Sequence, residues 1–400
     1  MTFSSPKFKR NGPAVLRIAY ATPIPAVRHI VPSLLSISKH LTIYMPWVPS
    51  ENLIKVIALF SKRLSLILSS RFREQIESDV TFRKLRPTQF LIPLLRLMGF
   101  RHLSTREIEK IQSSYIDLKR ISINNEILVA VEELIPSKRT RFSNILICEA
   151  RDYVHLNLKS IRPEPLMNYP ISEPSPINEI SRMERLAQAD AIITYSKFAA
   201  ETFVNAGWNP KRVGCAPLST PPIFPNIYSL SNRKEGALYV GRGALHKGLD
   251  IAVALSIESG IPLTVIGNFN SDVHSWLRNF QNVTCRGSQP RKVVLSEMAH
   301  LKYFFATSIE SYGYAALEAL QSGMQVIGTK NVGALSWVSE SNQLFLAEGL
   351  NVEALLLSLK FAIRTKLESK SNFDFLKETE VNEIWTSEIR KLIDVVSRID

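Results

Sequence analysis

Cysteine, glycine and long apolar runs are all scarce in this sequence of 400 residues. The cysteines Cys148, Cys215 and Cys285 lie far apart, which argues against a disulfide framework or a cysteine-built zinc site and favours a reducing compartment. Only 16 glycines and 22 prolines occur, so a collagen-like or low-complexity chain is excluded. The most apolar run, 53–68, is interrupted by basic residues, and the polar start at 1–13 has no signal-peptide pattern. We therefore expect no membrane-spanning helix and a cytoplasmic location.

Charge is distributed unevenly along the chain. The sequence carries 49 lysine and arginine residues against 36 aspartate and glutamate residues, a net charge of +13. Residues 1–145 hold all of this excess, with 23 basic and 10 acidic residues, whereas the rest of the chain is balanced. Such segregation indicates an anionic partner for the first part of the chain: a membrane surface, a nucleic acid or a phosphorylated substrate.

The order of the predicted elements indicates an α/β fold. Short buried strands alternate with helices of about ten residues, a pattern typical of βαβ units around a parallel sheet. Residues 25–140 have a mostly helical pattern with poor strand signals. The predicted strands are 15–21, 144–148, 191–194, 237–240, 263–266, 283–285, 303–306 and 326–328.

A length of 400 residues and 45% hydrophobic content predict two doubly wound domains, because one core rarely grows past about 250–300 residues. We expect a polar tail at 1–13, a first domain at 14–210 and a second at 211–370. The remaining segment, 371–400, has a helical pattern with an apolar face. That face would let it cross back onto the first domain. Its apolar residues are Trp385, Ile389, Leu392 and Val396.

The turn after the first strand of the second domain combines glycine with two cations. Gly241 and Gly243 flank Arg242, and Lys247 follows where the next helix begins. Glycine lets the backbone approach a ligand closely, and a helix N-terminus offers free N–H groups and partial positive charge. Arg242 and Lys247 could both reach one diphosphate. The alternative is that both are solvated loop charges.

A second turn, at 308–319, also follows a buried strand and opens a helix at Gly313. Glu310 lies in the loop before this helix, and Glu318 lies on its second turn. Ligands of doubly wound sheets bind at the carboxyl ends of the strands, so both turns are predicted to face one crevice. The alternative makes Glu310 a capping carboxylate and Glu318 a surface residue, although a carboxylate in so apolar a stretch needs a partner.

Gly241-Arg242-x4-Lys247-Gly248 together with Glu310-x7-Glu318 resembles the retaining family 4 glycosyltransferases of GT-B fold. The resemblance covers residues 178–365. It implies two facing doubly wound domains with an interdomain cleft. A nucleotide-diphosphate sugar would be held by the C-terminal domain and an acceptor by the N-terminal one. Such enzymes usually need no bound metal, and we expect no other cofactor.

The resemblance also implies roles for individual residues. Arg242 and Lys247 would stabilise the diphosphate as it leaves, which would be the largest contribution of the protein to the rate. Glu310 would contact the donor sugar hydroxyls and Glu318 the ribose hydroxyls. Backbone groups near 289–293 would meet the base. The donor-binding residues implied in this way are Gly241, Gln289, Val293, Ser311, Tyr312, Gly313, Tyr314 and Glu318.

The N-terminal half of the site departs from the family pattern. Related sequences carry a histidine directly after the strand at 144–148, whereas here His155 follows several residues later. His155 is the implied contact to the donor sugar or acceptor, and the alternative is a loop histidine with a structural partner. The loop at 22–29 lacks the glycine pair that family members often carry, and the usual acidic residue after Gly333 is missing.

The basic first third suggests where the acceptor lies. The apolar residues of 53–68 follow a helical period, with Lys55, Lys62 and Arg63 on or beside the other face. More basic residues interleave with apolar ones up to residue 106. Such a segment can lie on an anionic membrane, so 53–106 is a candidate membrane surface. The alternative is a core helix with solvated charges.

We therefore expect a retaining glycosyltransferase that transfers sugar to a surface glycan or lipid-linked precursor. The rivals are a non-catalytic nucleotide-sugar-binding relative and other GT-B chemistry such as epimerisation. Nucleic acid is not an expected partner, because no recognisable binding module is present.

Overall fold

The computed structural model describes eleven parts of the chain. They are residues 17–21, 30–45, 81–84, 127–132, 135, 145–151, 164–170, 176–219, 233–338, 341–365 and 376–398. Their strands form two separate sheets, and every strand pair within both sheets is parallel. The predicted doubly wound α/β architecture is confirmed.

The first sheet has seven strands in the order β3-β2-β1-β4-β5-β6-β7. The order reverses between β1 and β4, as expected of a doubly wound sheet. Its strands are β1 (Arg17–Ala21), β2 (His40–Met45), β3 (Thr81–Lys84), β4 (Ile127–Val131), β5 (Ile145–Glu149), β6 (Ala191–Thr194) and β7 (Val213–Cys215). The helices described around it are α1 (Val31–Ile37), α2 (Pro176–Leu186) and α3 (Lys197–Asn205). The side chain of Ser196 caps α3 by accepting a hydrogen bond from the Ala199 amide, as predicted.

The second sheet has six strands in the order β10-β9-β8-β11-β12-β13. Here the order reverses between β8 and β11. Its strands are β8 (Lys234–Val240), β9 (Leu263–Ile266), β10 (Val283–Gly287), β11 (Leu301–Ala306), β12 (Gln325–Thr329) and β13 (Leu344–Ala347). The helices around it are α4 (Leu249–Ser259), α5 (Ser271–Leu277), α6 (Arg291–His300), α7 (Tyr314–Gln321) and α8 (Val352–Arg364).

The helix at the end of the described chain, α9 (Glu378–Ser397), packs on the first sheet, although it follows the second in sequence. Trp385, Ile389 and Leu392 are fully buried in the core of that sheet. The indole nitrogen of Trp385 donates a hydrogen bond to the Pro217 carbonyl at 2.7 Å. The apolar face read from the sequence is therefore the face that this helix buries.

The sequence analysis missed the strands β2, β3 and β4 in the described parts of residues 25–140, which also include the helix α1. Most of this range lies outside the described residues, so its predicted helical pattern stays a prediction. Strand β4 has the sequence ILVAV and is buried on both faces. A short, wholly apolar run has no alternation that would distinguish a buried strand from a buried helix segment. The elements β7, α5, β13 and α8 were also missed.

The segment 53–106 lies outside the described residues, apart from the backbone of β3. The prediction of a basic membrane surface there is therefore untested. Among the helices that the structure describes, none combines the length and the apolar character needed to cross a bilayer.

Candidate active site

The candidate site lies where the strand order of the second sheet reverses. Strands β8 and β11 are neighbours there, and the loops at 241–248 and 307–313 leave their carboxyl ends side by side. Two hydrogen bonds to backbone carbonyls join these loops. The Ile309 amide donates to the His246 carbonyl at 2.7 Å, and the Thr307 hydroxyl donates to the Gly248 carbonyl at 2.7 Å. The two motifs found in the sequence therefore form one unit.

Gly248 is the closest point of approach between the two loops. It adopts a left-handed conformation with φ +69°, and a Cβ atom there would lie 2.1 Å from the Thr307 carbonyl oxygen. Only glycine fits both the conformation and the space. The Tyr239 hydroxyl donates to the carbonyl of Lys247 at 3.0 Å, with the Arg242 carbonyl at 3.3 Å. The Tyr239 hydroxyl thus anchors the backbone of the loop that carries both cations.

Lys247 and Glu310, which are 63 residues apart, form an ion pair between the two loops. The pair is largely shielded from water, with 17% of the Lys247 side chain and 26% of the Glu310 side chain exposed. The other carboxylate oxygen of Glu310 accepts a hydrogen bond from the Ser308 hydroxyl at 2.6 Å. Both oxygens of Glu310 therefore have a partner.

The backbone on either side of Glu310 is fixed by a bridge to the segment after β12. The Glu310 amide donates to the Asn331 carbonyl, and the Gly333 amide donates to the Glu310 carbonyl, both at 3.0 Å. Gly313 then opens α7 with φ +105°, and a Cβ atom there would lie 2.5 Å from the Val332 side chain. Glycine is required at position 313 because the start of α7 is in direct contact with the segment that follows β12.

A small cavity opens beside the ion pair. Its lining combines the carboxyl ends of β8 and β11 with the first turn of α7, and it includes Lys247, Ser308, Glu310, Ala315 and Ala316. The first turn of a helix presents backbone N–H groups without helical partners and a partial positive charge. One ammonium group and one helix N-terminus therefore converge on this cavity, which is an arrangement suited to phosphate oxygens.

Glu318 has a partner that the sequence analysis did not identify. The Arg291 guanidinium, at the first residue of α6, donates to one Glu318 oxygen at 2.5 Å. The Glu318 side chain is 17% exposed, whereas that of Arg291 is 55% exposed. Arg291 lies inside the segment 289–293, and only the need of Glu318 for a cation could have pointed to it.

The other residues implied in donor binding lie outside the Lys247–Glu310 pair and differ in their contacts. Arg242 is exposed, and its side chain forms no hydrogen bond or ion pair within the described residues. Gln289 bonds to the Arg286 carbonyl at 2.7 Å, and Val293 is half-buried on α6. Ser311, the next residue after Glu310, is buried. The structure therefore brings together Lys247 and Glu310, with no contact from the Arg242 side chain to either of them. His155 lies outside the described residues, so its predicted role stays a prediction.

Tyr312 and Tyr314 point toward the first domain. The Tyr312 hydroxyl donates to the Leu218 carbonyl at 2.5 Å, and its ring contacts that of Tyr314 at 5.0 Å. The Trp337 indole nitrogen donates to the Tyr195 carbonyl at 2.8 Å. These contacts belong to an apolar cluster that joins the two domains next to the candidate site. Burial chiefly, with the nearby Tyr312 and Glu318, raises the pKa of Tyr314 far above its usual value.

A buried carboxylate lies at the facing edge of the first sheet. Glu149, the last residue of β5, accepts hydrogen bonds from the hydroxyls of Tyr20 at 2.7 Å and Tyr195 at 3.0 Å. Burial and the charge of Glu149 raise the pKa of Tyr195 well above its usual value, so the phenol stays protonated. Sequence reasoning singled out the segment after β5 but expected His155, not Glu149, to carry its chemistry.

A second buried carboxylate, Glu132, follows β4 at the same edge. It pairs with Arg182 at 2.8 Å and with Arg151 at 2.9 Å. Burial alone would raise the pKa of Glu132, but the two guanidinium groups outweigh it and lower that pKa below its ordinary value. This triad fixes the loop that follows β5 to the helix α2.

Comparison with solved structures places this geometry in a known fold. TarM is similar to the chain with a TM-score of 0.50 at 9% identity, over 95% of this chain and 96% of TarM. The chain has the GT-B fold. The lipopolysaccharide outer core galactosyltransferase WaaB is similar with a TM-score of 0.48 at 14% identity, over 95% of this chain and 99% of WaaB. HepE of Anabaena, in complex with UDP and glucose, is similar with a TM-score of 0.46 at 12% identity, over 96% and 99% of the two chains.

No family model matches the sequence, and no curated protein matches it either. The GT-B prediction is thus confirmed as a fold. Sequence identities of 9–14% do not establish which reaction the chain catalyses. One fold can support unrelated chemistries, and the activity depends on the residues of the site.

Proposed function

We propose that this protein is a retaining glycosyltransferase that moves a sugar from a nucleotide-diphosphate sugar to an acceptor. The observation that carries the proposal is the cavity beside the Lys247–Glu310 pair. It lies at the switch point of the second sheet, where α/β folds bind their ligands. It also offers an ammonium group and a helix N-terminus to the anionic part of a nucleotide sugar.

In this proposal, Lys247 acts on the departing diphosphate. An ammonium group that is mostly shielded from water interacts more strongly with developing negative charge than an exposed one. Lys247 has three N–H donors, so it can contact phosphate while keeping its bond to Glu310. Arg242 is exposed on the same loop and would add a guanidinium once the diphosphate is bound.

Glu310 has the complementary role of binding the sugar. Its carboxylate is held in place by Ser308 and Lys247, and its backbone is held by the bridge to 331–333. A carboxylate oriented in this way accepts hydrogen bonds from sugar hydroxyls. Both oxygens of Glu310 are engaged, by Lys247 and by Ser308, so we do not assign this carboxylate as a nucleophile. We propose instead front-face attack by the acceptor beside the leaving phosphate, with retention of configuration. His155 remains the proposed contact on the acceptor side.

We further propose that the acceptor is a surface glycan or a lipid-linked precursor, reached from the cytoplasmic face of a membrane. The support is the net charge of +13 within residues 1–145, which would favour an anionic surface.

The first test is a thermal-shift screen against UDP, GDP, ADP and their sugars, because a ligand that binds only the folded state raises the melting temperature. The second measures release of nucleoside diphosphate from the best donor by wild type, Lys247→Met and Glu310→Gln. Each variant should lose at least about a hundredfold in turnover. Lys302→Met is the matched control, since Lys302 forms an exposed pair with Glu235 at 3.1 Å at the amino end of β11.

The outcomes separate the proposal from its rivals. Absence of any shift with all of these nucleotides would refute the proposed function. Binding without release of the diphosphate would instead indicate a non-catalytic relative, and an isomerised sugar nucleotide would indicate epimerisation. If Lys302→Met lost as much turnover as Lys247→Met, the loss would not be specific to the candidate site, and the proposed role of Lys247 would be refuted.

A further inference from the structure

Helix α8 presents an exposed face on the side away from its sheet. The helix packs on β12 and β13 and buries Leu355, Leu359 and Ala362 in the core. The side chains of the opposite face fall within about a third of the helical circumference. We call this face the outer stripe of α8, and its residues, all exposed, are Glu353, Leu357, Lys360, Phe361 and Arg364.

The middle of the outer stripe is apolar. Leu357 is 63% exposed and Phe361 is 67% exposed, more than any other large apolar residue among those described. They are four residues apart, so their side chains lie next to each other on the helix. The Phe361 ring contacts that of Phe345 at 5.9 Å, so the outer stripe runs beside β13, the edge strand of the second sheet. Adjacent apolar side chains with this exposure are typical of a surface that a partner covers.

Charge is placed asymmetrically along the outer stripe. Glu353 lies at its amino end, whereas Lys360 and Arg364 lie at its carboxyl end. None of these three side chains forms an ion pair with another described residue. Lys360 and Arg364 are four residues apart, so two like charges are neighbours on the helix without an acid beside them. The helix dipole favours an acid in the first turn and a base in the last, but it does not account for the exposed apolar pair between them.

The outer stripe is complementary to a second copy of itself. A two-fold axis midway between positions 358 and 359 would set two α8 helices antiparallel. At a rise of 1.5 Å per residue, Glu353 is then level with Arg364 of the second copy. Leu357 lies within about 1.5 Å, along the helix axis, of Phe361 of the second copy. Each contact occurs twice, because an interface with two-fold symmetry uses the same surface on both chains.

We propose that the outer stripe of α8 is a docking surface for a second copy of this chain, which packs its own α8 antiparallel on it. Leu357 and Phe361 supply the apolar centre of the contact, and the acid at one end meets the bases at the other. An anionic membrane is a poorer match, because it would repel Glu353. One helix face is smaller than a standard interface, so we expect a dimer that dissociates on dilution.

The proposal does not depend on the proposed function. None of the residues named at the candidate site lies on the outer stripe. Loss of donor binding would therefore leave this inference standing, and a monomeric chain would leave the proposed function standing.

The test measures the mass of the full chain by sedimentation velocity over a range of protein concentrations. Wild type should shift from one chain toward two as the concentration rises. Glu353→Arg and Arg364→Glu should each weaken the dimer at least about tenfold, because each sets like charges opposite each other twice. An equimolar mixture of these two variants should dimerise again, since every mixed dimer contains only opposite-charge contacts.

The double variant Glu353→Arg/Arg364→Glu separates the contact from effects within the helix. It also restores opposite charges across the interface, so it should dimerise as wild type does. It keeps the unfavourable dipole placement of both single variants, so a loss caused by the dipole would persist in it. Melting temperatures confirm that each variant folds.

Matched controls lie outside the outer stripe. Leu357→Gln should weaken the dimer, whereas Ile180→Gln, which changes an apolar residue on α2 that is 59% exposed, should leave it unchanged. Lys391→Glu reverses an exposed cation on α9 and should also have no effect.

Four results would overturn the proposal. The first is a wild-type chain that stays monomeric at every concentration. The second is a dimer that Leu357→Gln weakens no more than Ile180→Gln does. The third is a mixture of Glu353→Arg with Arg364→Glu that stays monomeric, which would exclude the antiparallel arrangement. The fourth is binding of wild type to anionic liposomes that Leu357→Gln abolishes, because the outer stripe would then be a membrane surface.

Discussion

Replacing Gly248 with alanine tests whether the two loops must meet closely for the site to work. A Cβ atom at this position would lie 2.1 Å from the Thr307 carbonyl oxygen, whereas ordinary contacts begin at 3.4 Å. The loops would have to separate by more than about 1 Å. Because Lys247 lies on one loop and Glu310 on the other, the change separates the two side chains that the proposed chemistry uses together.

The expected magnitude follows from comparison with Gly260, which has nearly the same conformation. Gly260 has φ +72° and no atom within 4 Å of a built Cβ, so Gly260→Ala isolates the backbone strain of about 1–2 kcal/mol. Gly248→Ala combines the same backbone strain with the separation of the two loops. A misplacement of about 1 Å in an active site can reduce the rate about a hundredfold. We therefore expect both variants to lose similar stability from strain, but only Gly248→Ala to lose activity on that scale.

The assay combines urea unfolding with the release of nucleoside diphosphate from the best donor found in the ligand screen. Wild-type turnover in Gly248→Ala would refute the reasoning, because the loops could then separate without consequence. A hundredfold loss in Gly260→Ala would refute it too, since the effect would come from backbone strain alone.

Two further predictions concern charge. Glu132→Gln should lower the free energy of unfolding at pH 7 by about 3–5 kcal/mol, because it leaves the buried Arg182 without its anion. Since the folded-state pKa of Glu132 is lowered, its contribution is present above its unfolded value of 4.5 and is lost as the pH falls through the folded pKa. Urea unfolding should show that the difference in unfolding free energy between wild type and Glu132→Gln becomes smaller in acid. As a control, Glu235→Gln should lower the free energy of unfolding by less than about 1 kcal/mol. Charge reversal at Lys55 and Lys62 should weaken co-sedimentation with anionic liposomes, and unchanged binding would exclude the membrane proposal.

The strands β8 to β12 of the second sheet could be predicted because their local signals agree with one another, although β13 at its edge was missed. The predicted strand 263–266 is β9 residue for residue, and α4 ends at Gly260, as its sequence position indicated. The first sheet has weaker local signals. Strand β4 is a short apolar run, and only pairing with β1 and β5 makes it a strand. That pairing is tertiary information, which periodicity along the chain does not contain.

The candidate site shows the same division. Glycines and strand ends were enough to predict that Lys247 and Glu310 share a crevice, because the doubly wound topology brings strand ends together. The pairing of Arg291 with Glu318 depends on how two helices are set against each other. The triad around Glu132 joins residues from three separate segments. No local pattern carries this information, so these contacts become visible only in three dimensions.

The return of α9 to the first sheet has a consequence during synthesis. Trp385 fills the core of that sheet and bonds to Pro217, which precedes it by 168 residues. At about 5–20 residues per second, the ribosome needs roughly 10–30 s to make the intervening chain. Throughout that interval the nascent first sheet must leave the apolar surface that α9 will cover exposed to water and to chaperones. The first sheet therefore emerges from the ribosome first, but its core is completed only after α9 has been made.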